Sequence, residues 1–451
     1  MDKADIPFLS ASQLAGQIKE REVSPVEAVE AYLDRIDSLD GKLYSYLTVC
    51  RDQALQAARE AEQALVRGAD LGPMHGVPVA VKDQVYSAGI RTTLGTPIFK
   101  DYVPTEDATV LANLKSAGAI LLGKLNMTEF GTTGLSHAFD TARNPWDLER
   151  YTGGSSSGSA GATAASLCAA ALGEDTGGSV RLPASWCGQV GLRPTWGRVS
   201  RYGVMPGVWS MDTIGPITRT VEDCALTLQA IAGRDPKDQY TSHLPVPDYR
   251  QGLDGNIRGT KIGVLTDLLN SEVVEPEVRE SVSRATNTLG ELGASVEEVS
   301  IPLSVDAGTI IALLRIEAPT NYKELVRHRA SEIMHDNRIS YLTWSLIPAM
   351  VYYKVQKLRA LLRQQLLDTF QGFDLLLSPT TTTPAALYDD YVRRRPIHED
   401  MEGNLSGWIS YCGAYAIAAM PAISVPCGCP SRVYVRSLPV ILAHTPLSTA
   451  L

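Results

Sequence analysis

Residues Gly153 to Pro183 read GGSSSGSAGATAASLCAAALGEDTGGSVRLP. Two glycine-serine loops, Gly153 to Gly158 and Asp175 to Ser179, bracket an alanine-rich segment. In each loop glycine lets the backbone turn sharply and expose N–H groups beside a serine. Serines so placed serve as nucleophiles, phosphate cradles or plain linker, and only the flanking chain decides among these.

Outward from this stretch, helix and strand signals alternate. Upstream, Ser24-Pro25-Val26-Glu27 is a capping box that opens an apolar run at helical spacing. Arg51 to Arg67 reads as a second helix closed by Gly68. Gly76 to Asp83 (GVPVAVKD) alternates Val77, Val79 and Val81, a strand that delivers Lys82 at its end. Asp107 to Ala117 reads as a helix and Ala119 to Leu122 as a buried strand. A short helix after Gly158 and a strand through Leu167 to Leu172 follow. Downstream, strands are predicted at Ile262 to Leu265, Val296 to Ile301, Asp374 to Ser378 and Pro421 to Pro426. Helices are predicted at Glu277 to Leu292 and Tyr352 to Phe370. This rhythm argues an α/β fold on a largely parallel or mixed central sheet. The polar Pro236 to Gly259 stretch reads as a surface connection.

The 451 residues are 44% hydrophobic and 20% charged, a globular composition that excludes disordered and fibrous classes. A net charge of -9 argues against nucleic acid as a partner. The seven cysteines are odd in number and lack zinc-ligand spacing, so neither a disulfide frame nor a metal is expected. MDKADIPFLS has no basic region followed by an apolar one. No apolar run reaches the ~18 residues of a membrane span. A soluble, cytoplasmic protein is expected, a monomer or homodimer with a small-molecule substrate, no cofactor and no membrane or nucleic-acid partner.

Two motifs imitate other enzymes. Val79-Ala80-Val81-Lys82 matches a kinase strand, but no glycine-rich loop precedes it and no His-Arg-Asp or Asp-Phe-Gly occurs. Gly154-Ser155-Ser156-Ser157-Gly158 matches the nucleophile elbow, which would make Ser156 the nucleophile. That elbow needs a buried strand before it, and Leu148-Glu149-Arg150-Tyr151-Thr152 is not one. A phosphate cradle of the P-loop type lacks its Gly-Lys-Ser/Thr ending. A nucleophilic serine also needs a base, and no histidine stands at triad spacing. Lysine serves when burial disfavours its ammonium, and Lys82 follows an apolar strand among small and branched residues.

Taken together, Lys82 after its valine strand, Gly153-Gly154-Ser155-Ser156 and Asp175-Thr176-Gly177-Gly178-Ser179-Val180-Arg181 resemble the amidase signature family. The resemblance runs from about Ser10 to Cys427. It includes Arg143-Asn144-Pro145-Trp146-Asp147, Val190 to Thr195, Gly197 to Ser200, Asp212-Thr213-Ile214-Gly215-Pro216 and Pro421 to Gly428. It implies a single large α/β domain over 1–427, catalytic core about 70–220, with a mixed, mostly parallel sheet covered by helices on both faces. It also implies Ser179 as nucleophile, Ser155 as bridging serine on a cis peptide bond and Lys82 as base. The N–H groups of Thr176, Gly177 and Gly178 are the implied oxyanion hole. Asp175 and Arg181 are expected to hold the loop.

Within the family, Ser210-Met211-Asp212-Thr213-Ile214-Gly215-Pro216 and Ala416 to Met420 depart from the glutaminase-type amidotransferase A subunit. Tyr353-Lys354-x-Gln356-Lys357-x-Arg359 looks similar to it. The expectation is therefore a stand-alone amidase on small, fairly apolar amides, anilides or esters, carbamates (urethanes) included. The A subunit is the runner-up, and a binding or scaffold pseudoenzyme the reading outside catalysis. Pocket residues are sought in Leu135 to Phe139, Met205 to Trp209 and Ile316 to Trp344. The tail, 428–451, departs from the family pattern and is expected to be truncated or frameshifted, leaving its last strand and helix in question.

Overall fold

The computed structural model describes residues 1–69, 72–132, 135–136, 138–389, 404–428 and 439–444, with backbone alone for 404–410 and 439–444. A mixed sheet of eleven strands runs through the molecule in the order β1-β3-β2-β6-β8-β7-β12-β13-β11-β9-β10. On one side of its middle lie β1 (Tyr46–Val49), β2 (Pro78–Lys82), β3 (Ile120–Leu125) and β6 (Ala170–Glu174). Beside them are β7 (Val190–Arg193) and β8 (Ile214–Thr218), while β4 (Arg143–Asn144) and β5 (Asp147–Tyr151) form a separate hairpin. The other side holds β9 (Lys261–Leu265), β10 (Ser295–Val299), β11 (Leu375–Pro379), β12 (Ala422–Pro426) and β13 (Pro439–His444). Parallel pairing is confined to β3-β2-β6 and β11-β9-β10. Between them the pairs are antiparallel, so the sheet is mixed and parallel pairing does not dominate it.

The elements arise where the spacing of apolar residues demands them. Ser24 and Glu27 close the expected capping box, with Ser24 Oγ accepting from Glu27 N at 3.0 Å and Ser24 N donating to Glu27 Oε2 at 2.9 Å. In β2 every residue is buried, as a strand covered on both faces must be. Burying Val79 and Val81 contributes about 1.5–3 kcal/mol each. Two apolar clusters flank the sheet, one built on residues 6–231 and the other on 94–130, 205–211 and 262–422. No helix among the described residues is long and apolar enough to cross a membrane.

Both glycine-serine loops sit at the carboxyl end of β6 and the start of a helix. The first leads into the helix Ser157–Ala164, whose small, buried residues let it lie close to β2, β3, β6 and β8. The second leads into the helix Arg181–Cys187. A carboxylate clamps this second loop. Asp175 Oδ1 accepts from Gly178 N at 2.8 Å and Oδ2 from Val180 N at 3.3 Å. Arg181 donates Nε to Oδ2 at 2.9 Å and Nη2 to Oδ1 at 3.0 Å. Arg193 of β7 donates to the Asp175 carbonyl oxygen and spans to Met211 O at 2.7 Å. All three side chains are fully buried. Burial by itself pushes the Asp175 carboxyl up, but Arg181 and then Arg193 outweigh it and hold the group well below the usual carboxylate range. Gly178 has φ +134°, and a Cβ there would lie 2.6 Å from Cys412 Cβ, so only glycine fits.

The tail contributes a central element. β13 pairs antiparallel with β11 on one side and β12 on the other, filling the sheet between them. It therefore does not lie at an edge. Residues 429–438 and 445–451 of the tail lie outside the described residues.

Replacing Ile441 by proline removes an N–H from this central ladder, and each dry partner left unbonded costs about 1–3 kcal/mol. The I441P protein is expected to unfold at lower urea or to be insoluble. Asp175→Asn leaves two buried guanidinium groups without their carboxylate and is expected to cost about 3–5 kcal/mol in urea unfolding. Because the folded Asp175 pKa is depressed, its contribution is present above the unfolded value near 3.9 and lost as pH falls through the folded one. The wild-type advantage should thus hold from pH 7 to about 4 and shrink only below that.

Candidate active site

The carboxyl ends of β2 and β6 bring the two loops to Lys82. Its Nζ donates to Ser155 Oγ at 2.7 Å, and the Gly154–Ser155 peptide is cis. Lys82 is fully buried, and Ser155 is 2% exposed. Burial lowers the Lys82 pKa, and the nearby charge of Glu174 opposes that by raising it. A dry lysine of this kind can be neutral and accept a proton.

Of the three serines in question, Ser179 alone is half-buried; Ser155 and Ser156 are buried. Ser156 is occupied structurally. Its Oγ donates to Glu174 O and accepts from Glu174 N, both at 3.3 Å, and its N–H donates to Ser179 O at 3.2 Å. The last bond ties one loop to the other. An elbow serine would need its Oγ free at the top of a turn, so the elbow motif is spent on holding β6.

Among the implied oxyanion donors, Gly178 has a partner within its own loop. The Gly178 N–H donates to Asp175 Oδ1 at 2.8 Å. The N–H groups of Thr176, Gly177 and Ser179 make no hydrogen bond to the described residues.

Sequence reasoning missed two acidic residues here. Glu174, 2% exposed at the end of β6, places Oε2 3.4 Å from Lys82 Nζ and Oε1 2.8 Å from Thr176 Oγ1. Thr176 Oγ1 lies 2.8 Å from Asp212 Oδ1 as well. The available signal for Glu174 was a charged residue closing an otherwise small, apolar strand. Gly131 has φ +67°, and a methyl there would lie 3.6 Å from Gln84 Oε1, 3.7 Å from Ser155 Oγ and 3.8 Å from Glu174 Oε2. Its lack of a side chain leaves open space beside these groups.

Two of the three candidate pocket stretches come together. Tyr322 donates Oη to Pro206 O at 2.7 Å and Asn321 donates to Gly207 O at 2.9 Å, so Ile316 to Trp344 packs on Met205 to Trp209. Phe130, Tyr322 and Tyr341 stack there with ring centroids 5.0 and 5.5 Å from Phe130. Leu135 packs instead beside Tyr151 and Trp186, while 137 lies outside the described residues. A cavity of ≈ 430 Å³ runs from exposed Trp209 and Tyr240 to Glu174 and Asp212. Among the described residues no group of acidic, histidine or cysteine side chains could hold a metal ion.

The amidase family profile matches residues 27–442. The A subunit of the glutamyl-tRNA(Gln) amidotransferase of Moorella thermoacetica is 41% identical, over 94% of this chain and 91% of that protein. The crystal structure of the same-named protein from Thermotoga maritima is 31% identical, with a TM-score of 0.79 over 98% of this chain and 91% of that one. A chain described with a vestigial protein complex and the origins of an s-triazine catabolic enzyme is 29% identical, TM-score 0.89, covering 97% and 95%. The two amidotransferase A subunits overturn the expected stand-alone amidase on small apolar amides, anilides, esters or carbamates. That identity extends over nearly the whole chain, whereas the departures at 210–216 and 416–420 are confined to two short stretches. The two A subunits equally overturn the expected lone monomer or homodimer meeting only a small molecule and no nucleic acid, since each is named as one subunit of a glutamyl-tRNA(Gln) amidotransferase. With a match running from residue 27 to residue 442, the chain belongs to the amidase family, whose signature its two glycine-serine loops resemble.

Proposed function

We propose that this protein works as an amidotransferase A subunit of the glutamyl-tRNA(Gln) type, a glutaminase that hydrolyses a carboxamide and supplies the ammonia to a partner subunit. The observation that carries the proposal is 41% identity to such a protein over 94% of the chain. The 2.7 Å contact between buried Lys82 and Ser155 supports amide hydrolysis as its chemistry.

In the proposed reaction Ser179 attacks the carbonyl carbon. Its proton passes to Ser155, which gives its own to Lys82. The developing oxyanion is met by the free N–H groups of Thr176, Gly177 and Ser179, each such donor typically worth about 3 kcal/mol. The proton then returns through Ser155 to the departing nitrogen, ammonia leaves, and water releases the acyl group from Ser179. Asp175 and Arg181 hold the loop in shape without touching the reacting atoms.

Helix Ala349–Thr369 serves this frame. Arg359 donates to Ser210 O at 2.8 Å and to Ile417 O at 2.9 Å, and so joins the stretch before β8 to the segment before β12.

The test is ammonia release from glutamine by the purified chain together with labelling by a serine-directed fluorophosphonate. Lys82→Ala and Ser179→Ala are expected to lose activity by about 10²-fold or more. Ser156→Ala keeps labelling, because its hydroxyl only bonds the Glu174 backbone. Retained labelling in Ser179→Ala with loss in Ser156→Ala would move the nucleophile to Ser156. Amine release from anilides with no ammonia from glutamine would reject the glutaminase.

A further inference from the structure

The relay through Ser155 leaves one buried acid unused. Among the described residues the ion pair of Glu174 is with Lys82, at 3.4 Å, and both side chains are at most 3% exposed. Two unit charges this close and this dry interact far more strongly than a pair in water. Asp175, the next residue, is matched by two arginines, so Glu174 is not needed to balance them.

The far side of Glu174 is built as carefully. Thr176 Oγ1 lies 2.8 Å from Glu174 Oε1 and 2.8 Å from Asp212 Oδ1. A hydroxyl has one proton to donate, so two oxygen–oxygen contacts of this length need a second proton on one of the carboxyls. Burial, and then the charge of Glu174, push the Asp212 carboxyl up to about 7, against the N–H groups of Gly207 and Val208 that it accepts at 2.7 and 2.9 Å. Glu174 turns its other oxygen, Oε2, to Lys82. The other ionisable groups that face the pair are Asp175 from the second loop, Arg193 from β7 and Tyr322 from the segment over the cavity.

We propose that Glu174 is a positioning residue for the base: its carboxylate, held by Thr176 against Asp212, is the counter-ion of the ammonium that forms when Lys82 takes the Ser155 proton. The inference rests on the reading of Lys82 as base. In proton terms the Ser179 O–H bond breaks as Ser155 takes that proton, the Ser155 O–H bond breaks as Lys82 takes the next, and the new positive charge lies 3.4 Å from Glu174 Oε2. Return of the proton to the departing nitrogen leaves Lys82 neutral again. The carboxylate favours protonated Lys82, so it stabilises the charged intermediate and also sets how low the pH can fall before Lys82 stays protonated at rest. Removing the charge lowers the proton affinity of Lys82 and extends the neutral, competent form to lower pH.

The test is the pH dependence of Ser179 labelling by a fluorophosphonate in the full chain, which needs no natural substrate. Glu174→Gln is expected to shift the acid limb of the labelling rate to lower pH by about 1–3 units, the range for loss of a neighbouring opposite charge. It should also slow the plateau rate at least several-fold. Glu174→Ser removes the same charge with less bulk and should shift the limb alike, whereas Glu174→Asp should return it toward the wild type. A limb that coincides with the wild type in a folded Glu174→Gln or Glu174→Ser protein overturns the inference. Failure of both neutral variants to fold overturns it too, by making the carboxylate a structural strut. Failure of the underlying reading looks different: the wild type would not label at Ser179, or Lys82→Ala would label as fast as the wild type.

Discussion

The site depends on one buried carboxylate, Asp175, and the two guanidinium groups that enclose it. Its oxygens take the N–H of Gly178 and Val180 while Arg181 and Arg193 supply the positive charge. That arrangement curls the loop after β6, sends Ser179 outward and turns the N–H groups of Thr176, Gly177 and Ser179 away from the protein's own acceptors. A buried charge of this kind persists only when it is paired and hydrogen-bonded on every side. Its four donors come from the loop itself, from the helix that follows and from β7, so the geometry of the loop is inseparable from the packing of the sheet.

Around this clamp the chain distributes charge unevenly and to a purpose. Asp175 is over-matched by arginines, whereas Lys82 forms, among the described residues, one ion pair, with Glu174, and has a serine hydroxyl in front. Burial lowers the proton affinity of Lys82 and Glu174 raises it, so the two opposing effects decide its charge. Thr176 extends the same chain of contacts to Asp212. The backbone from 205 to 212 is in turn braced by Arg193, Arg359, Asn321 and Tyr322. Segments far apart in sequence thereby converge on a few oxygen and nitrogen atoms.

Much of the fold was legible from the residues. Capping at Ser24, the valine alternation before Lys82 and the short apolar runs at 262–265, 374–378 and 421–426 all mark elements that form, because local periodicity and caps act over a few neighbours. The balance of parallel and antiparallel pairs was not legible, since it depends on which distant strands meet. β13 was hidden for the same reason. Pro439–His444 pairs with β11 and β12 over long chain separations, in a tail whose pattern departs from the family. The branch within the family also escaped. A handful of motif residues was set against similarity spread over the whole chain, and the spread carries more.

At the site, Lys82, Ser155 and Ser179 were named from the sequence through the resemblance that a valine strand and two glycine-serine loops bear to the amidase signature family. Their chemical types and the glycines between them limit what the loops can do. What only the tertiary structure decided is which atoms meet. It committed the Gly178 N–H to Asp175 and the Ser156 hydroxyl to the Glu174 backbone. It also set Glu174 against Lys82 and linked it through Thr176 to Asp212. Hydrogen bonds and ion pairs depend on distances of a few ångströms between residues tens to hundreds of positions apart, and the packing of the sheet and its helices sets those distances.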